Sequence, residues 1–256
     1  MTPTRTTGGP LPPVRALRYL ALGDSYTIGE GVEPAGRWPL QLAHALRGEG
    51  VMLGDPTIVA TTGWTTDELA AALDAFDAGA MPIERPVAGT AEAANALRGA
   101  PAEKLAASAA PAGSHAMARA WDLVSLLIGV NNQYRGRGVD EYREQFAALL
   151  ARAIAYAGGR ADRVLVLSIP DWGVTPFAAR EGRDAALVAR ELDAFNAAAR
   201  ELCGRGGVAF VDITPVSRAH GAEAAMQVDD GLHPSAAMYA QWTALALPVA
   251  RGMLAS

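Results

Sequence analysis

The run Tyr19-Leu20-Ala21-Leu22, followed at once by Gly23-Asp24-Ser25, decides how this chain is read. A short, unbroken apolar run without polar alternation reads as a parallel strand covered on both faces. A serine just past such a strand sits where a backbone turn can expose its hydroxyl. A second island, Asp230-Gly231-Leu232-His233-Pro234, lies near the other end of the chain. An Asp three residues before a His can place carboxylate and imidazole on one side of a single turn, within hydrogen-bonding reach. Together the islands hold a nucleophile, a general base and an orienting carboxylate, the three parts of an activated serine.

Working outward from the first run, similar near-continuous apolar stretches recur at residues 18–22, 56–61, 122–129, 163–169 and 208–213. Helices are predicted between and after them at 38–48, 66–76, 140–157, 184–203 and 236–254. Thr65 with Glu68 can form a capping box for the second helix, and Gly158-Gly159 is a stop for the third. This alternation predicts an α/β fold, a doubly wound three-layer α/β/α sandwich around a five-stranded parallel sheet. Residues 1–14 read as a disordered lead-in and 15–256 as a single domain. An Ala/Pro/Gly-rich stretch at about 78–119, with Pro82, Pro86, Pro101 and Pro111, breaks the rhythm. It reads as an insertion, partly disordered or weakly helical, against the competing reading of a lid over the site.

Composition narrows the function classes. A net charge of −5 gives no basic footprint for nucleic acid or an anionic membrane surface. The single Cys203 rules out an intrachain disulfide and reads as a small packing residue in a helix. Residues 1–13 lack the apolar core of a signal peptide, and no uncharged apolar stretch approaches membrane-spanning length, so the expected location is cytoplasmic. No Cys/His cluster has metal-ligand spacing and no phosphate-cradling glycine loop occurs. Neither metal nor any other cofactor is implied, and the sequence does not set an oligomeric state.

In an open parallel sheet the site forms beyond the carboxyl ends of the strands. Ser25 follows the first predicted strand, Gly63 the second and Asn131 the third, and Asp230 with His233 follow the last. Cleaving an ester requires donors for the negative oxygen of a tetrahedral intermediate. Gly63 offers an N–H with no Cβ to block approach, Asn131 a side-chain amide, and the Ser25 N–H a third donor at a helix start.

Gly23-Asp24-Ser25 with Tyr26, the lone Gly63, Gly129-x-Asn131 and Asp230-x-x-His233 resemble, in order, the four blocks of the SGNH/GDSL hydrolase family. The resemblance spans about residues 18–254. It implies a flavodoxin-like fold, Ser25 as nucleophile, His233 as base, Asp230 as its partner, and an oxyanion hole of Ser25, Gly63 and Asn131. It also implies a small-molecule ester as substrate, with short acyl chains the expected preference. Lysophospholipids, thioesters and acetylated carbohydrates are alternatives on the same triad, and a non-catalytic acyl- or glycan-binding protein is a reading of a different class. No Gly-x-Ser-x-Gly elbow surrounds Ser25, which argues against the α/β-hydrolase fold. One departure stands out: Asn132 occupies a position where the family often has Asp.

Several residues carry a plainer expectation. Asp24 reads as a helix-entry residue and Asp229 as a solvated neighbour of Asp230. His44 and His220, the latter in a polar loop, read as surface residues, and His115 is not read as a second site. Trp172 either walls the pocket or packs against the insertion. Asp212 reads as a structural hydrogen-bond partner at the end of the fifth strand.

Overall fold

Strands β1 (Tyr19–Gly23), β2 (Thr57–Ala60), β3 (Leu123–Leu127), β4 (Val164–Leu167) and β5 (Ala209–Val211) form one parallel sheet in the order β2-β1-β3-β4-β5. The computed structural model describes residues 15–80 and 120–255. The expected lead-in at 1–14, nearly all of the 78–119 insertion with its lid reading, and His115 lie outside the described residues. Every residue of β1, β3 and β4 is buried, as continuous apolar runs require of strands covered on both faces. The edge strands β2 and β5 are only partly buried. A buried Tyr19 hydroxyl is satisfied across the sheet by the Ser125 hydroxyl at 2.9 Å.

Nine helices complete the described residues: α1 (Ser25–Ile28), α2 (Trp38–Gly48), α3 (Thr66–Asp77), α4 (Val130–Tyr134), α5 (Val139–Tyr156), α6 (Pro176–Arg180), α7 (Ala185–Gly206), α8 (Thr214–His220) and α9 (Ala236–Ala255). The five long ones fall where the sequence predicts them. The Thr65–Glu68 capping box opens α3, with the Thr65 N–H donating to Glu68 Oε2 at 2.8 Å. Helix α5 ends at Tyr156, with Ala157 as its C-cap just ahead of Gly158-Gly159. His220 departs from its predicted loop: it closes α8 and faces Glu223 at 2.7 Å.

Right-handed crossovers fix the layers. The chain steps from β1 to β2 in one direction, and from β2 through β3 and β4 to β5 in the other. Helix α2 therefore covers one face, while α3, α5 and α7 cover the opposite one. Helix α9 returns to the α2 face, where the two pack together and the Thr243 hydroxyl donates to the Trp38 carbonyl at 3.5 Å. Because β1 leads to β2 on one side and β3 to β4 on the other, the connections leaving the carboxyl ends of β1 and β3 diverge and open a crevice there. Ser25 and the Gly129–Asn131 turn lie at its mouth.

No helix among the described residues is long and apolar enough to cross a membrane.

Candidate active site

Ser25 is the first residue of α1, directly after the Asp24 N-cap, and is 4% exposed. Asp24 fulfils its predicted helix-entry role, its Oδ1 accepting from the Tyr26 N–H at 3.0 Å. At the first position of a helix the Ser25 N–H has no intrahelical acceptor and points out of the helix end.

Asp230 and His233 are brought together on one tight turn. The His233 ring Nδ1 lies 2.6 Å from Asp230 Oδ2, and the backbone N–H groups of Leu232 and His233 donate to Asp230 Oδ1 at 2.7 and 2.9 Å. Asp230, not Asp229, is the partner. Burial alone would raise its carboxyl, but the hydrogen bonds from His233 and the neighbouring backbone outweigh it and hold the group below its ordinary range. A carboxylate only accepts, so in a neutral ring the proton sits on Nδ1 and Nε2 keeps its lone pair. The ring lies 6.0 Å from that of Tyr26, edge to face, which sets it beside the residue next to Ser25. The Ser25 hydroxyl makes no hydrogen bond to His233 in this arrangement, a looseness common before substrate binds.

Asn131 reaches the residue next to Gly63. Asn131 Nδ2 donates to the Trp64 oxygen at 2.9 Å, leaving its second N–H for another acceptor. Gly63 has φ +88°, a conformation that favours glycine, and Arg135 holds its carbonyl at 2.7 Å while ion-pairing with Glu68. The Gly63 N–H has no acceptor among the described residues. Gly129 is required on two counts: its φ is +125°, and a Cβ there would lie 2.5 Å from Tyr142 Cε2 and 2.9 Å from Ile169 Cδ1.

Asn132 is a local support. Its Oδ1 accepts from the Thr66 N–H at 3.0 Å, and its Nδ2 donates to the Thr66 hydroxyl at 2.7 Å, which in turn faces Gln145. The buried amide ties α4 to the start of α3. Of the two expectations for Trp172, packing against the insertion falls outside the described residues, while the ring lines a small space together with Tyr26, Leu232 and Trp242. The residue is 2% exposed and its indole N–H donates to Gln133 Oε1 at 2.7 Å, while the exposed aromatic beside it is Tyr134. Asp212 is structural as predicted, accepting from Ser168 and pairing with Arg200.

One supporting element is absent from the sequence reading. Helix α6 clamps the Asp230–His233 turn, with Arg180 donating to the Asp230 carbonyl at 2.6 Å and the Phe177 N–H to the Gly231 carbonyl at 2.9 Å. Thr175-Pro176 was its available signal, a side-chain cap followed by proline at the first helical position. Among the described residues no group of His, Cys, Asp and Glu is arranged to hold a metal ion.

A family model described as GDSL-like lipase/acylhydrolase matches residues 21–241, a span that contains all of the residues above from Ser25 to His233. Among solved structures the chain is similar to TesA, with 18% identity, TM-score 0.60, and 93% of this chain and 99% of that one covered. It is similar to a lipase/acylhydrolase from Enterococcus faecalis at 17% identity and TM-score 0.57, covering 92% and 96%. A variant of Axe2, an acetyl xylan esterase from Geobacillus stearothermophilus, matches at 17% identity and TM-score 0.58, covering 91% and 94%. At such identities the likeness speaks for the fold alone. No curated protein matches the chain in sequence.

Proposed function

Since the chain belongs to the GDSL-like lipase/acylhydrolase family, we propose that it hydrolyses carboxylic esters of short acyl chain through an acyl-enzyme on Ser25. The observation that carries this reading is the Asp230–His233 pair, whose 2.6 Å contact fixes the tautomer and leaves Nε2 as the base. Nε2 takes the hydroxyl proton as Ser25 Oγ adds to the acyl carbon, and Asp230 stabilises the imidazolium that forms. The oxyanion is received by the N–H groups of Ser25 and Gly63 and the unspent N–H of Asn131. Collapse expels the alcohol, which takes the proton from His233. A water then repeats the sequence to release the acid and free Ser25.

The hydrogen bonds that hold Asp230 below its ordinary range favour the ionised form that accepts from the ring.

The test is hydrolysis of p-nitrophenyl esters across acyl lengths, comparing wild type with Ser25→Ala. Turnover should peak at short chains and drop at least about a thousandfold in the variant. A variant as active as wild type would remove Ser25 from the mechanism.

A further inference from the structure

Resting on that hydrolase reading, we infer that the site takes esters bearing an anionic group, a carboxylate or a phosphate, held by the Arg183 guanidinium on a shelf of Tyr134 and Trp172. Tyr134 lies three residues after Asn131 on α4, so the two share a helix face. Its ring is 41% exposed and packs edge-on against Trp172, with centroids 5.2 Å apart. Trp172 is itself fixed by Gln133, which Glu191 holds at 2.7 Å. The Arg183 guanidinium carbon sits 4.9 Å from the Tyr134 ring centre and 5.6 Å from that of Trp172. Its backbone N–H is pinned to the Ala178 carbonyl at 3.0 Å. The shelf therefore reaches from the oxyanion side of the site to a cation held in place on two sides.

What this cation lacks is an acid. Neighbouring arginines are paired: Arg135 with Glu68, Arg137 with Asp67 and Glu141, Arg218 with Asp171 and Asp193. Arg183 has no carboxylate within 4.0 Å among the described residues, and neither does Arg180, which donates to the Asp230 carbonyl. Of the acids next to Arg183 in sequence, Asp184 is occupied in capping α7, with its Oδ1 accepting from the Ala186 and Leu187 N–H groups at 2.9 and 3.1 Å. Glu181 caps the end of α6 and makes no ion pair with either arginine. A guanidinium stacked on aromatic rings is preorganised, weakly hydrated, and keeps its in-plane N–H edge for a carboxylate or phosphate. The whole chain carries a net charge of −5, so the attraction is a short-range contact rather than long-range steering.

The experiment measures kcat/KM at low ionic strength for two matched pairs of esters. In one the charge is on the acyl side: mono(4-nitrophenyl) glutarate against its uncharged glutaramide counterpart. In the other it is on the leaving group: 4-acetoxybenzoate against 4-acetoxybenzamide. The anionic member should be favoured about tenfold in at least one pair, the worth of one charge-assisted hydrogen bond. Arg183→Gln should lower that ratio at least about fivefold, with Arg183→Lys in between. The pair that responds locates the anion. Ratios near one in both pairs, or a ratio unmoved by Arg183→Gln, would overturn the inference. Uncharged esters hydrolysed by wild type but not by Ser25→Ala leave the hydrolase reading standing in that event, whereas no turnover of any ester overturns both.

Discussion

Asp24 is fully buried at the N-cap of the helix that carries Ser25, with one carboxyl oxygen bonded to the Tyr26 N–H and the other without a partner. Burial pushes its carboxyl up to about 7, against the pull of the backbone N–H groups of Tyr26 and Gly129. An unfolded Asp titrates near 3.9. Between about pH 4 and 7 the unfolded chain has therefore released a proton that the folded chain still holds. The stabilisation is complete below that window and is lost as pH rises through it. Asparagine caps a helix equally well and does not titrate. Asp24→Asn should remove a slope of about 1.4 kcal/mol per pH unit at most, read as the difference between the two proteins' urea midpoints from pH 4 to 8. Parallel midpoint curves would show that Asp24 is ionised in the folded state. At this scale much was legible in advance. A residue type with a fixed offset, such as Asp before His or Asp at a helix entry, carries its geometry in the sequence. The burial of Trp172 did not, because a single Trp after a strand says nothing about which neighbour covers it.

The elements divide in the same way. Long apolar runs and amphipathic stretches locate five strands and five helices because each repeats its signal over several turns or residues. Helices α4, α6 and α8 are two turns or shorter, too brief for a period to emerge. The α6 clamp escapes a motif reading for a further reason: it grips backbone carbonyls, and any sequence has those. Its effect is nonetheless measurable. Arg180→Met removes the donor to the Asp230 carbonyl, which is exposed enough to be rehydrated, so the stability cost should stay below about 1 kcal/mol. With a neutral ester, kcat should fall about three- to tenfold with KM nearly unchanged, since a loosened turn misplaces the base rather than the substrate. Arg180→Lys, which keeps a donor, should recover part of the loss. A change confined to KM would mean that Arg180 binds substrate and does not position the turn.

At the scale of the molecule, the sheet separates two helical layers, and each should contribute to stability on its own. Leu42 of α2 and Leu149 of α5 are both buried, on opposite sides of the sheet. Each truncation to alanine should cost about 2–5 kcal/mol, and the double variant should equal the sum within about 0.5 kcal/mol. Coupling well beyond that in urea unfolding would show that the layers repack together. The order of elements has a further consequence for how activity comes into being. The serine follows the first strand, while the imidazole sits just ahead of the last helix. If Ser25 and His233 act as proposed, Ser25 remains an ordinary alcohol during synthesis until the turn that carries His233 has emerged and folded. A growing chain would then be inert toward the esters around it, and so would either fragment of a chain divided between β3 and β4. Hydrolysis by the two fragments mixed would report that the two parts of the site have met.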